Sequence, residues 1–196
     1  SSALSTGGGL MVIAREPETK DYLPAPAGVH RAVCADVVDL GYVENSFRPG
    51  KLTHKVQVRW FVDEELPEDK RGPDGIPLFM VSQRYTNSLH EKAALRKMLT
   101  AWRGKPFTRD ELKGFDLENI VGVSCQVVIS HNEKDDRVYA NVEAVAPLGK
   151  GMPKMTVPEG YVRAKDRPDW KEPYNPPEDF TPVHDESEYP DEDIPF

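Results

Sequence analysis

The sequence predicts a mainly β body of five strands with one helix between the third and fourth, followed by a disordered acidic tail. Three observations predict it. Five runs have the period-2 alternation or apolar, β-branched character of strands, and a single run between the third and fourth switches to helical period. From Gly151 onward, proline and acidic residues accumulate and periodicity vanishes.

The run Ser1 to Leu10 (SSALSTGGGL) reads as a vector-derived remnant, with the natural start at Met11. Residues 11–27 carry Pro17, Pro24 and Pro26 and are expected to form an extended lead-in. Val29 to Leu40 is the first strand, and its alternation slips near Asp36, as a β-bulge would require. Gly41 to Gly50 is turn-rich. Leu52 to Val62 then alternates cleanly, with Leu52, His54, Val56, Val58, Trp60 and Val62 on one face and Thr53, Lys55, Gln57, Arg59 and Phe61 on the other. Asp63 to Pro77 is a charged loop, and Leu78 to Thr86 is the third strand. Leu89 to Arg103 places Leu95, Met98, Leu99 and Trp102 on one helical stripe, with Ser88 as N-cap and Gly104 as terminator. Thr108 and Glu111 have capping-box spacing for a second short helix. Val123 to Ser130 and Val138 to Val145 complete a final hairpin around the turn HNEKDDR.

Three strands, a helix and two strands is the layout of an OB-fold, a five-stranded, partly open barrel that binds single strands across its second and third strands and adjoining loops. Residues 28–150 are expected to form it, with Trp60 and Trp102 in its core. Cys34 and Cys125 lie in apolar runs with no CxxC, and are read as reduced core residues. No apolar run is long enough to span a membrane. The net charge of −8 is carried almost entirely by residues 151–196, so the body is near neutral and free to carry a basic groove.

Catalytic patterns are missing. The histidines show neither HxH nor HExxH spacing, there is no Walker-type glycine loop and no GxSxG elbow. The acidic cluster Asp63, Glu64, Glu65, Glu68 and Asp69 could serve a metal-dependent nuclease, but it sits in a Pro/Gly loop, without a strand frame. The expectation is a protein that is not an enzyme and uses no cofactor or metal. A further alternative is an acidic DNA mimic that binds protein and no nucleic acid. The sequence specifies neither an oligomeric state nor a choice between DNA and RNA.

Of the 18 prolines, 9 fall in residues 151–196, where apolar residues occur singly, so the segment is expected to be disordered. It ends in Asp191, Glu192, Asp193, Ile194, Pro195 and Phe196. A terminal ring suits a pocket, its carboxylate suits a basic clamp, and the upstream acids steer toward an electropositive partner. These six residues resemble the acidic tip of bacterial single-stranded DNA-binding proteins. The block VSQRYTNSLHEKAALRKMLTAWRGKPFTRDELKGFDLENIVG, Val81 to Gly122, resembles a single-stranded DNA-binding family of tailed bacteriophages. The resemblance covers about residues 24–150. It implies an OB-fold that coats single-stranded DNA without sequence preference in phage replication and recombination, in the cytoplasm of the infected bacterial host. Replication and recombination proteins would be the partners recruited by the tip.

Single-strand binding needs cations along phosphates and rings for bases. Lys55, Arg59 and Phe61 on the second strand meet that need, with Phe79 on the third. Either Arg84 or Tyr85 faces the groove, since strand pairing leaves both open. Arg137 and Tyr139 on the last hairpin flank one end of the groove, and Arg48 and Lys51 on the first inter-strand loop flank the other. Lys92, Arg96 and Lys97 form a second basic patch on the helix. The acidic tail is positioned to compete with phosphate for the groove.

Overall fold

The structure is a computed structural model and describes residues 23–45 and 47–177. Five antiparallel strands, β1 (Gly28–Asn45), β2 (Arg48–Glu65), β3 (Leu78–Thr86), β4 (Ser124–Lys134) and β5 (Arg137–Ala146), form one sheet in the order β3-β2-β1-β4-β5. Helices α1 (Ala94–Arg103) and α2 (Arg109–Lys113) come between β3 and β4. The edge strands β3 and β5 approach each other with α1 packed against both, and no hydrogen-bonded ladder joins them among the described residues.

Strand β1 organises the sheet. Residues from Ala32 to Asn45 pair with β2 and the first six, Gly28 to Val33, pair with β4, so it must bend. Two bulges supply the bend: Ala35 and Leu40 are the extra residues where the register jumps from Cys34 to Asp36 and from Asp39 to Gly41. The slip expected at Asp36 is therefore present. Its consequence is directional, because Asp36 now pairs opposite Arg59 and shares that residue's face of the sheet.

The first hairpin is longer than expected: β1 and β2 stay paired to Asn45 and Arg48, through most of the turn-rich stretch. The last hairpin closes in two residues, Asp135 and Asp136, both with positive φ (54° and 61°), the backbone of a type I′ turn. Helix α1 starts five residues later than its sequence period suggests. The Ser88 hydroxyl accepts from the His90 N–H at 3.1 Å, and Ala93, with extended backbone, is the residue that precedes the first turn. Gly104 ends α1 in the left-handed region at φ 71°, and Thr108 and Glu111 form the expected capping box on α2.

One face of the sheet and the α1 stripe enclose the main core. Val56, Val58, Trp60 and Val62 of β2 meet Phe79, Val81 and Tyr85 of β3 and the Leu95, Met98, Leu99 and Trp102 stripe. The Trp60 and Trp102 rings lie 6.2 Å apart in that core, as expected. Cys34 and Cys125 are both free and fully buried, and burial pushes the Cys34 thiol up to about 12, so neither is a nucleophile at neutral pH.

The opposite face is covered by chain that the sequence placed in a disordered tail. Disorder from Gly151 does not hold for residues 151–177, which follow β1 as a strap with three anchors. At the first, the Ser124 hydroxyl donates to the Met155 carbonyl at 3.0 Å and accepts from its N–H at 2.8 Å. Beyond it, Met155, Val157 and Tyr161 pack on a second apolar cluster of Val33, Ala35, Phe61 and Ile76. At the second anchor, Asp36 accepts from the Tyr161 hydroxyl (2.7 Å), Arg163 Nε (3.0 Å) and the Ala164 N–H (2.8 Å). Arg163 also holds both Glu118 oxygens at 2.6 and 2.8 Å. At the third, the Tyr42 N–H donates to the Tyr174 carbonyl at 2.8 Å over Gly41, where an added Cβ would lie 2.5 Å from that oxygen.

Apolar residues that occur singly among prolines cannot build a core of their own, but they can complete one that a sheet already offers. The strap does the latter. The tip residues Asp191, Glu192, Asp193, Ile194, Pro195 and Phe196 lie outside the described residues, as does the reading of Ser1 to Leu10.

Candidate nucleic-acid interface

The register between β2 and β3 decides which side chains the uncovered part of the sheet presents. Trp60 pairs with Val81 and Val56 with Tyr85, so the odd-numbered residues of β3 share the core face. Phe79 is 7% exposed and Tyr85 6%, and burial pushes the Tyr85 phenol well above its ordinary range. Both expectations of a groove-facing ring are corrected: their side chains fill the core. Arg84 pairs opposite Gln57 and is exposed, so of the two it is Arg84 that points outward from the sheet.

Phe61 does lie on the outer face, as its alternation requires, yet it is only 3% exposed. The Tyr161 ring meets it edge-on, with centroids 5.3 Å apart. This too is a correction, since the strap covers the ring a base would need. No signal local to Phe61 could have shown it.

Three cations remain together on the open outer face. Lys55 and Arg59 are four residues apart on β2, and Arg84 stands on β3 opposite the Gln57 that separates them. With about 6.8 Å per two residues along a strand and about 4.8 Å between strands, this is a compact triangle that a phosphate backbone can follow. The Lys55 ammonium donates to the Thr86 hydroxyl at 2.7 Å, and Arg59 Nε donates to Gln57 Oε1 at 2.9 Å. The neighbouring positions of β2 and β3 on this face, Thr53, Gln57, Ser82 and Thr86 with the exposed Met80, are uncharged, and the Asp36 carboxylate of β1, opposite Arg59, is taken up by the strap. The neutral Thr86 and Gln57 side chains thus help orient Lys55 and Arg59 along the strand.

The strap runs alongside this strip. Tyr161, anchored on Asp36, also meets Arg59 through its hydroxyl, while Gly41, under Tyr174, pairs with Lys55. The strap is therefore a bank of the strip from its Arg59 end to its Lys55 end.

The two hairpin tips lie at opposite ends of the sheet. At the first, Arg48 and Lys51 are half-buried beside Phe47, which is 68% exposed. Phe47 was missed by sequence reasoning because it sits in a turn and shares no face with a strand; its isolation in a polar stretch was the available signal. At the second, Arg137 and Tyr139 are exposed as expected. The helix patch is not one surface. Lys92 precedes α1, and Arg96 is half-buried with Nη1 on the Leu89 carbonyl at 3.2 Å, which leaves Lys97 as the exposed cation within the helix.

The expected loop starts later than Asp63, a correction to the acidic cluster: Asp63, Glu64 and Glu65 end β2, where Asp63 pairs with Arg31 at 2.7 Å and Glu64 lies 3.5 Å from His30, while Glu68 and Asp69 follow the strand. Among the described residues, no group of three or more His, Cys, Asp or Glu side chains is placed to hold a metal ion, and no helix is long and apolar enough to cross a membrane. Comparison with protein-family models and with curated proteins returns no match to the chain.

Proposed function

We propose that the chain binds single-stranded DNA without sequence preference, through the outer face of β2 and β3, and is a binding protein with no catalytic role. The observation that carries this reading is the triangle of Lys55, Arg59 and Arg84 on the outer face of β2 and β3, among uncharged side chains of those two strands. The strand order agrees with it. The order β3-β2-β1-β4-β5, with β3 and β5 approaching each other and α1 packed on both, supports reading the sheet as an OB-type barrel open between its edge strands. Within the same proposal, the protein coats strands in phage replication and recombination in the host cytoplasm, and its last six residues recruit partner proteins.

Fluorescence anisotropy with labelled oligo-dT and with a duplex of equal length tests this. Oligo-dT is expected to bind, to weaken steeply as salt rises, and to stay intact when Mg²⁺ is added. No binding at low salt, equal preference for the duplex, or degradation with Mg²⁺ would contradict the reading.

A second expectation concerns residues 178–196, which carry eight carboxylates and no Lys or Arg. They continue from Pro177, three residues and at most about 11 Å past Tyr174, at the Lys55 end of the strip. A chain ending at Pro177 is expected to bind oligo-dT severalfold more tightly at low salt, with the difference vanishing at high salt. Unchanged or weaker binding would remove the tail from the competition.

A further inference from the structure

The rings expected to stack bases on the sheet, Phe61, Phe79 and Tyr85, are all buried. Yet the strip of Lys55, Arg59 and Arg84 has a bank, and that bank carries a ring of its own. Tyr174 is 59% exposed although its backbone is fixed: its carbonyl accepts from Tyr42 at 2.8 Å and sits directly over Gly41. Gly41 is opposite Lys55 in the β1–β2 register. An exposed aromatic on a backbone held against a strand loses little freedom on binding a flat partner.

Gly41 also explains why the ring can be there. Its φ is +68°, and a Cβ at that position would stand 2.5 Å from the Tyr174 carbonyl, 2.7 Å from the Pro173 Cβ and 2.9 Å from the Tyr174 nitrogen. The strand gives up a side chain so that the strap can come down beside Lys55.

We infer that the strap is one wall of the nucleic-acid groove and that Tyr174 stacks on a base of the strand whose phosphates Lys55 engages. This rests on the single-strand-binding reading above and adds a base contact to it. Stacking, not hydrogen bonding, is the chemistry assigned to the ring, so it tolerates any base.

The full-length chain is compared with its Y174A and Y174F variants, using oligo-dT and an oligomer of abasic sugar-phosphate units of the same length. Y174A is expected to bind oligo-dT about tenfold more weakly and Y174F to match the unaltered chain, as loss of one stacked base predicts. On the abasic oligomer all three are expected to bind alike. Oligo-dT binding by Y174A equal to that of the unaltered chain would overturn the inference while leaving the proposed function standing. So would a Y174A loss that persists on the abasic oligomer, or a Y174F loss as large as that of Y174A. Failure of the unaltered chain to bind oligo-dT would overturn the proposed function itself and this inference with it.

Discussion

Replacing Lys55, Arg59 and Arg84 together by alanine is expected to lower affinity for oligo-dT by about a hundredfold or more at low salt, and to flatten its salt dependence by about 2 units of log K against log salt. The slope is the sharper number. Each phosphate neutralised on a single strand contributes about 0.7 to it, so three lost contacts subtract about 2, whereas a misfolded variant would lose binding without a defined change of slope. The fold is expected to survive. The side chains lie on the outer face, outside both apolar clusters, so thermal stability should change little. A triple variant that binds with the parental slope would show that phosphates are held elsewhere.

The second large effect is on stability. Asp36 is 1% exposed and takes three hydrogen bonds from the strap, two of them from neutral donors and one from a guanidinium. Asp36→Ala leaves the Ala164 N–H without its acceptor in a buried position and removes one of the two carboxylates that hold Arg163. The expected cost is about 3 kcal/mol, seen as a fall in Tm of roughly 6–12 °C for a chain of this size. Limited proteolysis should cut the strap of the variant first, while the body persists. A loss below about 1 kcal/mol would mean that apolar packing on Phe61, and not the carboxylate, holds the strap.

The same residue sets a pH dependence. Burial by itself raises the Asp36 carboxyl; the Ala164 N–H, the Tyr161 hydroxyl and Arg163 outweigh it and hold it below the ordinary aspartate value. Glu118 is held low as well, chiefly by the hydrogen bonds from Arg163. A carboxyl depressed in the folded state contributes stability that is complete above its unfolded value, about 3.9 for aspartate, and is lost as pH falls through the folded value. Strap protection is therefore expected to be the same at pH 7 and pH 5 and to fail only below about pH 4. Loss of protection between pH 7 and pH 5 would point to a histidine instead.

What was legible in the sequence was local. The third strand, Leu78–Thr86, has the expected bounds because an apolar run between turn formers carries its own limits. The bulge at Asp36, the Gly104 terminator and the Thr108 capping box are equally short-range features. Parity on β3 was not legible, because whether Arg84 or Tyr85 points outward depends on Trp60 pairing with Val81, a contact across two strands. The strap was hidden for a related reason. Met155, Val157 and Tyr161 follow no helical or strand period, since their partners Val33, Ala35 and Phe61 lie about a hundred residues or more earlier. Prolines and scattered charges then read as disorder, and the burial of Phe61 became invisible with them.

The central claim is that the outer face of β2 and β3 holds a single strand. Backbone amide chemical shifts followed by NMR during titration with a short oligo-dT test it most directly. The account predicts that the largest changes fall at Lys55, Gln57, Arg59, Ser82 and Arg84, with Tyr174 among them at the neighbouring bank. Changes confined to α1, α2 or the loop between β2 and β3, with those residues unmoved, would contradict it.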